Sequence, residues 1–206
     1  MSDDIYSKRM SGKIESPVIQ VYTGNGKGKT TAALGLAFRA AGHGFRVKIL
    51  QFMKCGTYSG ENISYVRLDP YIKLEHFGRE CPKAISIAMG WSKCDGCGKC
   101  FVEKGKFTDE DVEMALKGMS RAKEIMENDE AELLILDEIS NVIDCGILDV
   151  HQLVDFVKSR NVHIELVLTG RNMPEKVIEL ADLVTEMNLI KHPFDRGIYA
   201  RRGIEY

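Results

Sequence analysis

Apolar residues in this chain fall into two kinds of run. One kind is short, continuous and followed by glycine or acid. Leu133-Leu134-Ile135-Leu136 ends in Asp137-Glu138, the pattern of a strand buried on both faces of a parallel sheet. Pro17–Tyr22, Phe45–Phe52, Ile164–Leu168 and Leu183–Met187 read as further strands. The other kind repeats every three or four residues. Val112, Ala115, Met119, Ala122 and Met126 form such a stripe, behind a Thr108 N-cap and an acidic first turn of Asp109, Glu110 and Asp111. Thr31–Ala41 carries Ala and Leu on all sides and predicts a largely buried helix, ended by Gly42 in a left-handed cap. More helices are expected from about Asp149 to Ser159 and from Pro174 onward. Ile63–Leu68 and Ile72–Phe77 each fit a short strand. From Gly78 to Phe107 the pattern lapses. Strands alternating with helices predict an α/β fold with a mostly parallel sheet and helices on both faces.

Composition narrows the class. Of 206 residues, 44% are hydrophobic and 28% charged, close to a soluble globular average. No apolar run approaches the roughly 18 residues of a spanning helix. Met1–Ser16 is polar and lacks a signal-peptide core, so a cytoplasmic location is expected and a membrane partner is not. Residues 1–16 read as a flexible leader. Residues 17–206 read as one domain, with a cysteine-rich insertion at about 78–107. The net charge of −2 hides an asymmetry: residues 1–60 carry +6 and residues 108–138 carry −8. The basic block suits an anionic ligand. Basic runs interleaved with aromatics are missing, which argues against a nucleic-acid partner.

The basic block contains Gly24-Asn25-Gly26-Lys27-Gly28-Lys29-Thr30-Thr31 between the first strand and the first helix. This is the context of a phosphate-binding loop. Its glycines let backbone N–H groups surround phosphate oxygens, and the helix N-terminus adds its dipole. Lys29 offers an ammonium to the phosphates and Thr30 a hydroxyl to Mg²⁺. Thr23 stands where the usual pattern has its first glycine; Gly24 comes one step late. Asp137 and Glu138, at the end of a buried strand, are both candidates to orient the Mg²⁺ shell. The fold expected is therefore P-loop NTPase-like (RecA-like). These motifs specify triphosphate binding without naming a reaction. A guanine-reading Asn-Lys-x-Asp is not found, and a small-molecule kinase stays open.

The loop with Ala32-Ala33, followed by Phe38-Arg39-Ala40-Ala41-Gly42-His43-Gly44 and Gln51-Phe52-Met53-Lys54, resembles the ATP:corrinoid adenosyltransferases. Leu136-Asp137-Glu138, Thr169-Gly170-Arg171, Ala181–Met187, Lys191–Gly197 and Arg202–Tyr206 extend the likeness, which covers residues 18–54 and 132–206. The resemblance implies transfer of the 5′-deoxyadenosyl group of ATP to Co(I) of a corrinoid, with triphosphate leaving and ATP lying reversed in the loop. Carried over by position, it implies that Asn25 and Gly26 to Thr31 contact ATP. Lys29 and Arg39 would neutralise triphosphate, and Thr30 and Glu138 would serve Mg²⁺. Arg171 is a further candidate for the same pocket. His192 and Asp195 lie in the specific tail without an assignable chemical role. An electron donor such as a flavoprotein and a homodimeric state are also expected.

One segment departs from that family. Its Phe-x-Trp loop is not found. In its place stand Cys81 and the run Cys94, Cys97 and Cys100, spaced C-x12-C-x2-C-x2-C. Four thiolates so close can surround a zinc ion or an iron–sulfur cluster; reduced, unliganded thiols are the alternative. Trp91, the single tryptophan, either faces the corrin ring or packs over the cysteines. Cys55 and Cys145 read as buried thiols. A non-enzymatic metal- or redox-sensing module driven by nucleotide is the remaining rival.

Overall fold

The computed structural model describes residues 12–54, 59–93, 95, 97–198 and 200–205. Six strands form one sheet: β1 (Ile19–Thr23), β2 (Val47–Phe52), β3 (Ile72–Phe77), β4 (Leu133–Asp137), β5 (Glu165–Thr169) and β6 (Leu183–Glu186). Their order is β3-β2-β4-β5-β1-β6, and every pairing is parallel. The two central strands, β4 and β5, are buried at every position, as a continuous apolar run requires. The helices are α1 (Lys29–Gly42), α2 (Gly60–Val66), α3 (Ala84–Ala88), α4 (Asp109–Glu127), α5 (Ile139–Asp144), α6 (Val150–Lys158) and α7 (Glu175–Ile178), with a 3₁₀ turn at Pro193–Arg196.

Alternate residues of the inner strands feed two cores, while the edge strand β6 is exposed throughout. On one face Val47, Ile49, Leu133, Ile135 and Val167 meet Ala33, Ala37, Ala40 and Ala41 of α1. On the other, Leu50, Phe52, Leu134 and Leu136 meet Ala115, Met119, Ala122 and Met126 of α4, and Leu153, Phe156 and Val157 of α6. The alanines let α1 lie close to the sheet and hold its first turn over the strand ends. The α/β reading, the parallel sheet and the P-loop position are borne out. Among the described residues no helix is long and apolar enough to cross a membrane.

Several expectations change. Ile63–Leu68 is not a strand: its first four residues complete α2, where Ile63 and Val66 stay exposed while Tyr65 packs inward. Helix α1 is buried on one face only, and Phe38 is 65% exposed. It runs through Gly42, and the left-handed glycine is Gly44, with φ 80°. Ile14 already packs against the α1-side core, so anchoring begins inside the expected leader, whose residues 1–11 lie outside the described ones.

Candidate active site

The loop between β1 and α1 is pressed against the end of β6. Gly26 N–H donates to Met187 O at 2.6 Å. A Cβ at Gly24 or Gly26 would stand 2.5 or 2.6 Å from that same oxygen. Glycine is therefore demanded at both positions by a neighbouring backbone, quite apart from any phosphate. Gly28, with φ 118°, caps α1 without a side-chain hydrogen bond, leaving the first helical N–H groups facing the loop. Lys29 is only 7% exposed. Its Nζ donates to Gly24 O (2.7 Å) and Gly26 O (2.8 Å). Burial pushes its pKa down, against the pull of Glu138. An ammonium so desolvated gains from an anion placed beside it.

Two strands away, β4 delivers Asp137 and Glu138 to the same rim. Thr30 Oγ1 donates to Asp137 Oδ1 at 2.9 Å. Thr169 Oγ1 donates to that oxygen at 2.6 Å and accepts Glu138 N–H at 3.0 Å. Lys54, just past β2, donates to Asp137 Oδ2 and Thr30 Oγ1, both at 2.7 Å, and lies 3.8 Å from Glu138 Oε1. Burial alone would lower the Lys54 pKa; the Asp137 and Glu138 carboxylates outweigh it and hold it above its ordinary value. Glu138 has φ 62°, a left-handed turn that aims its carboxylate at the cavity while Asp137 stays in the sheet. Burial raises the Glu138 pKa, with Lys54 opposing. Asn141 Nδ2 donates to Glu138 Oε2 at 2.6 Å, and Asn141 Oδ1 accepts Arg171 N–H at 3.0 Å.

Lys29, Thr30, Lys54 and Glu138 line one cavity of about 1350 Å³, with Asp137 buried behind them. It gathers Asn25, Gly26, Lys27, Gly28, Lys29, Thr30, Thr31, Glu138 and Arg171, all expected from sequence. Gly24 supplies a carbonyl beneath it. Thr30, however, bonds Asp137 rather than Glu138. Arg39 does not line the cavity: although Phe38 beside it does, Arg39 is exposed on α1. Its charge is felt instead by Tyr22. Trp91, 74% exposed, does not line the cavity either; from the same segment Cys100 and Phe101 do. Cys81 and Cys100 share a small apolar cluster with Ala84 and Ile87, and Cys97 is exposed. Cys94 and Cys55 lie outside the described residues. Among the described residues, no three His, Cys, Asp or Glu side chains are grouped to hold a metal ion. Lys54, Gln51, Phe101 and Glu205 are cavity residues that the motifs did not single out for a role. Lys54 and Gln51 sit within a quoted run, and only the fold shows them beside Asp137, Gln51 by strand register and Lys54 by its ion pair.

A glycine loop capping a helix, with a carboxylate pair on a strand separated from it by one other, defines a P-loop nucleotide-binding protein. The family model described as ATP:corrinoid adenosyltransferase BtuR/CobO/CobP matches residues 15–206, and the chain belongs to that family, whose members are alkyl-transferring enzymes. It is 37% identical to a corrinoid adenosyltransferase of Sinorhizobium sp over 93% of this chain and 81% of that one. It is 31% identical to one of Pseudomonas aeruginosa, over 93% of this chain and 85% of that one. With the Escherichia coli (strain K12) corrinoid adenosyltransferase it shares 30% identity over 100% of both.

Proposed function

We propose that the protein moves the 5′-deoxyadenosyl group of ATP onto Co(I) of a corrinoid. The Co–C5′ bond forms, the C5′–O bond breaks, and its electron pair leaves with triphosphate. One observation carries the reading beyond family membership. The phosphate loop opens into a cavity of about 1350 Å³, more than the ~300–1,000 Å³ of an ordinary small-ligand pocket. That leaves room for a second large substrate. The protein supplies no nucleophile; it aligns C5′ with the cobalt and stabilises charge on the leaving group. Lys29, Lys27, Arg171 and the loop N–H groups take the triphosphate.

Thr30, Asp137 and Glu138 are hard oxygen donors of the kind Mg²⁺ takes. A cation, the Lys54 ammonium, already contacts Thr30 and Asp137, so the donor set fits a positive ion. Mg²⁺ held there would neutralise charge on the phosphates. For the corrin face we assign Phe101, 67% exposed at the cavity wall, ahead of Trp91. We further propose residues 17–206 as one domain, a cytoplasmic location, a homodimer, and a flavoprotein as the source of electrons for Co(I).

The deciding assay combines the protein with ATP, Mg²⁺ and chemically reduced cobalamin. A light-sensitive cobalt–carbon product with stoichiometric triphosphate is expected; ADP instead would overturn the reading. Cys81, Cys94, Cys97 and Cys100 are proposed to hold zinc or an iron–sulfur cluster, although the described three do not form a site by themselves. Metal analysis of anaerobically purified protein should find about one zinc or several irons per chain. Metal-free active protein would remove the proposal.

A further inference from the structure

Gln51 lies in β2 on the cavity floor and is 1% exposed. Its register partners are His76 on β3 and Asp137 on β4, so the three side chains share one face of the sheet. Gln51 Nε2 donates to Asp137 Oδ2 at 3.1 Å. That carboxylate already receives Lys54, Thr30 and Thr169. A carboxylate so surrounded by donors fixes the amide: nitrogen toward Asp137, oxygen away from it. Gln51 Oε1 is buried and has no hydrogen-bond partner among the described residues. A buried acceptor left unpaired is costly unless a bound molecule brings it a donor.

The cavity lining indicates what that molecule is. Around Gln51 the wall is made of Leu34, Ile49, Tyr65 and Leu74, all buried or half-buried. Elsewhere the wall presents widely exposed rings, among them Phe101 and Phe194. A mostly apolar wall with the Gln51 amide oxygen at its floor suits a base and its sugar; an exposed aromatic rim suits a much larger flat ring. On the reading that ATP occupies the loop, we infer that Gln51 Oε1 accepts a hydrogen bond from the nucleoside and thereby sets nucleotide preference. The donor is the 6-amino group of adenine or a ribose hydroxyl. Both are donors. A 6-oxo base would set acceptor against acceptor, and a deoxyribose would leave the oxygen unpaired.

Calorimetric binding of ATP, ITP, 2′-deoxy-ATP and 3′-deoxy-ATP, each with Mg²⁺, to wild type and Gln51→Met tests this. In wild type one analogue should bind roughly tenfold more weakly than ATP, and which one identifies the donor. In Gln51→Met that discrimination should vanish, with ATP weakened to the level of the analogue. If Gln51 only steadied Asp137, all four nucleotides would weaken alike and their ratios would persist, overturning the inference. Equal wild-type affinities for all four would also overturn it. Should the Met variant fail to fold, Gln51→Asn, which withdraws the amide by one methylene, takes its place. Wild-type protein that bound no ATP would sink the functional reading itself; binding without discrimination would sink only the role of Gln51.

Discussion

Lys29 Nζ bridges two loop carbonyls, so its removal acts on the loop and on the reaction together. The loss of one fixed charge on the departing triphosphate should cost Lys29→Ala at least ~10²-fold in turnover, read as cobalt–carbon product per minute. Turnover within a few-fold of wild type would count against the site. Nearby, the Lys54–Asp137–Thr30 cluster shows how much a single residue depends on the sheet around it. Asp137 is buried and collects donors from β2, β5, α1 and the residue Lys54, each brought there by the fold rather than by sequence proximity. This is why the glycine loop and Glu138, being contiguous motifs, are legible in the chain, while Lys54 and Gln51 show their roles only in the fold. Arg39 is the opposite case: its motif is legible in the chain, but its side chain stands exposed on α1 and does not line the cavity.

At the scale of elements, helix α4 is set by its first turn. Asp111 accepts Thr108 N–H at 2.7 Å and Thr108 Oγ1–H at 2.9 Å, closing a capping box. It also takes two hydrogen bonds from Arg79, at 2.7 and 2.5 Å. Asp111→Ala removes the cap and leaves Arg79 unpaired, and should cost about 2 kcal/mol in urea unfolding with an unchanged m-value. The Arg79 guanidinium holds the Asp111 carboxyl below its ordinary value of 3.8. Its contribution is therefore fully present above that pH and lost as pH falls through the depressed native value. The stability gap between wild type and variant should stay constant from neutrality to pH 5 and narrow in stronger acid; a gap that widened there would contradict this pairing. Helix α4 and β4 are legible in the chain because their patterns are long or unbroken. Ile63–Leu68 is not, because six residues with scattered apolar positions fit either period, and α2 and the turn after it pack on the core with Tyr65 and Leu68. In the cysteine-rich segment no period operates, so nothing in the order of residues says that Phe101, rather than Trp91, reaches the cavity.

Across the whole molecule, the basic N-terminal block meets residues from the far end of the chain. Lys27 Nζ donates to Glu205 Oε1 at 2.7 Å, and Arg201 pairs with the same carboxylate; these bonds hold Glu205 far below the usual carboxylate range. Gly203, Ile204 and Glu205 thereby become part of the cavity wall. Lys27 cannot serve Glu205 and a triphosphate equally. Glu205→Gln should tighten ATP binding by up to about threefold at low ionic strength, an effect that fades as salt screens the exposed pair. Titrations at two salt concentrations check it; weaker ATP binding in the variant would mean that Glu205 positions Lys27 instead of competing for it.

The placement of Glu205 also bears on how the enzyme is handled. A substitution or label introduced at residues 203–205 would touch the glycine loop through the Lys27–Glu205 pair. Kinetics recorded on such a variant describe a different mouth.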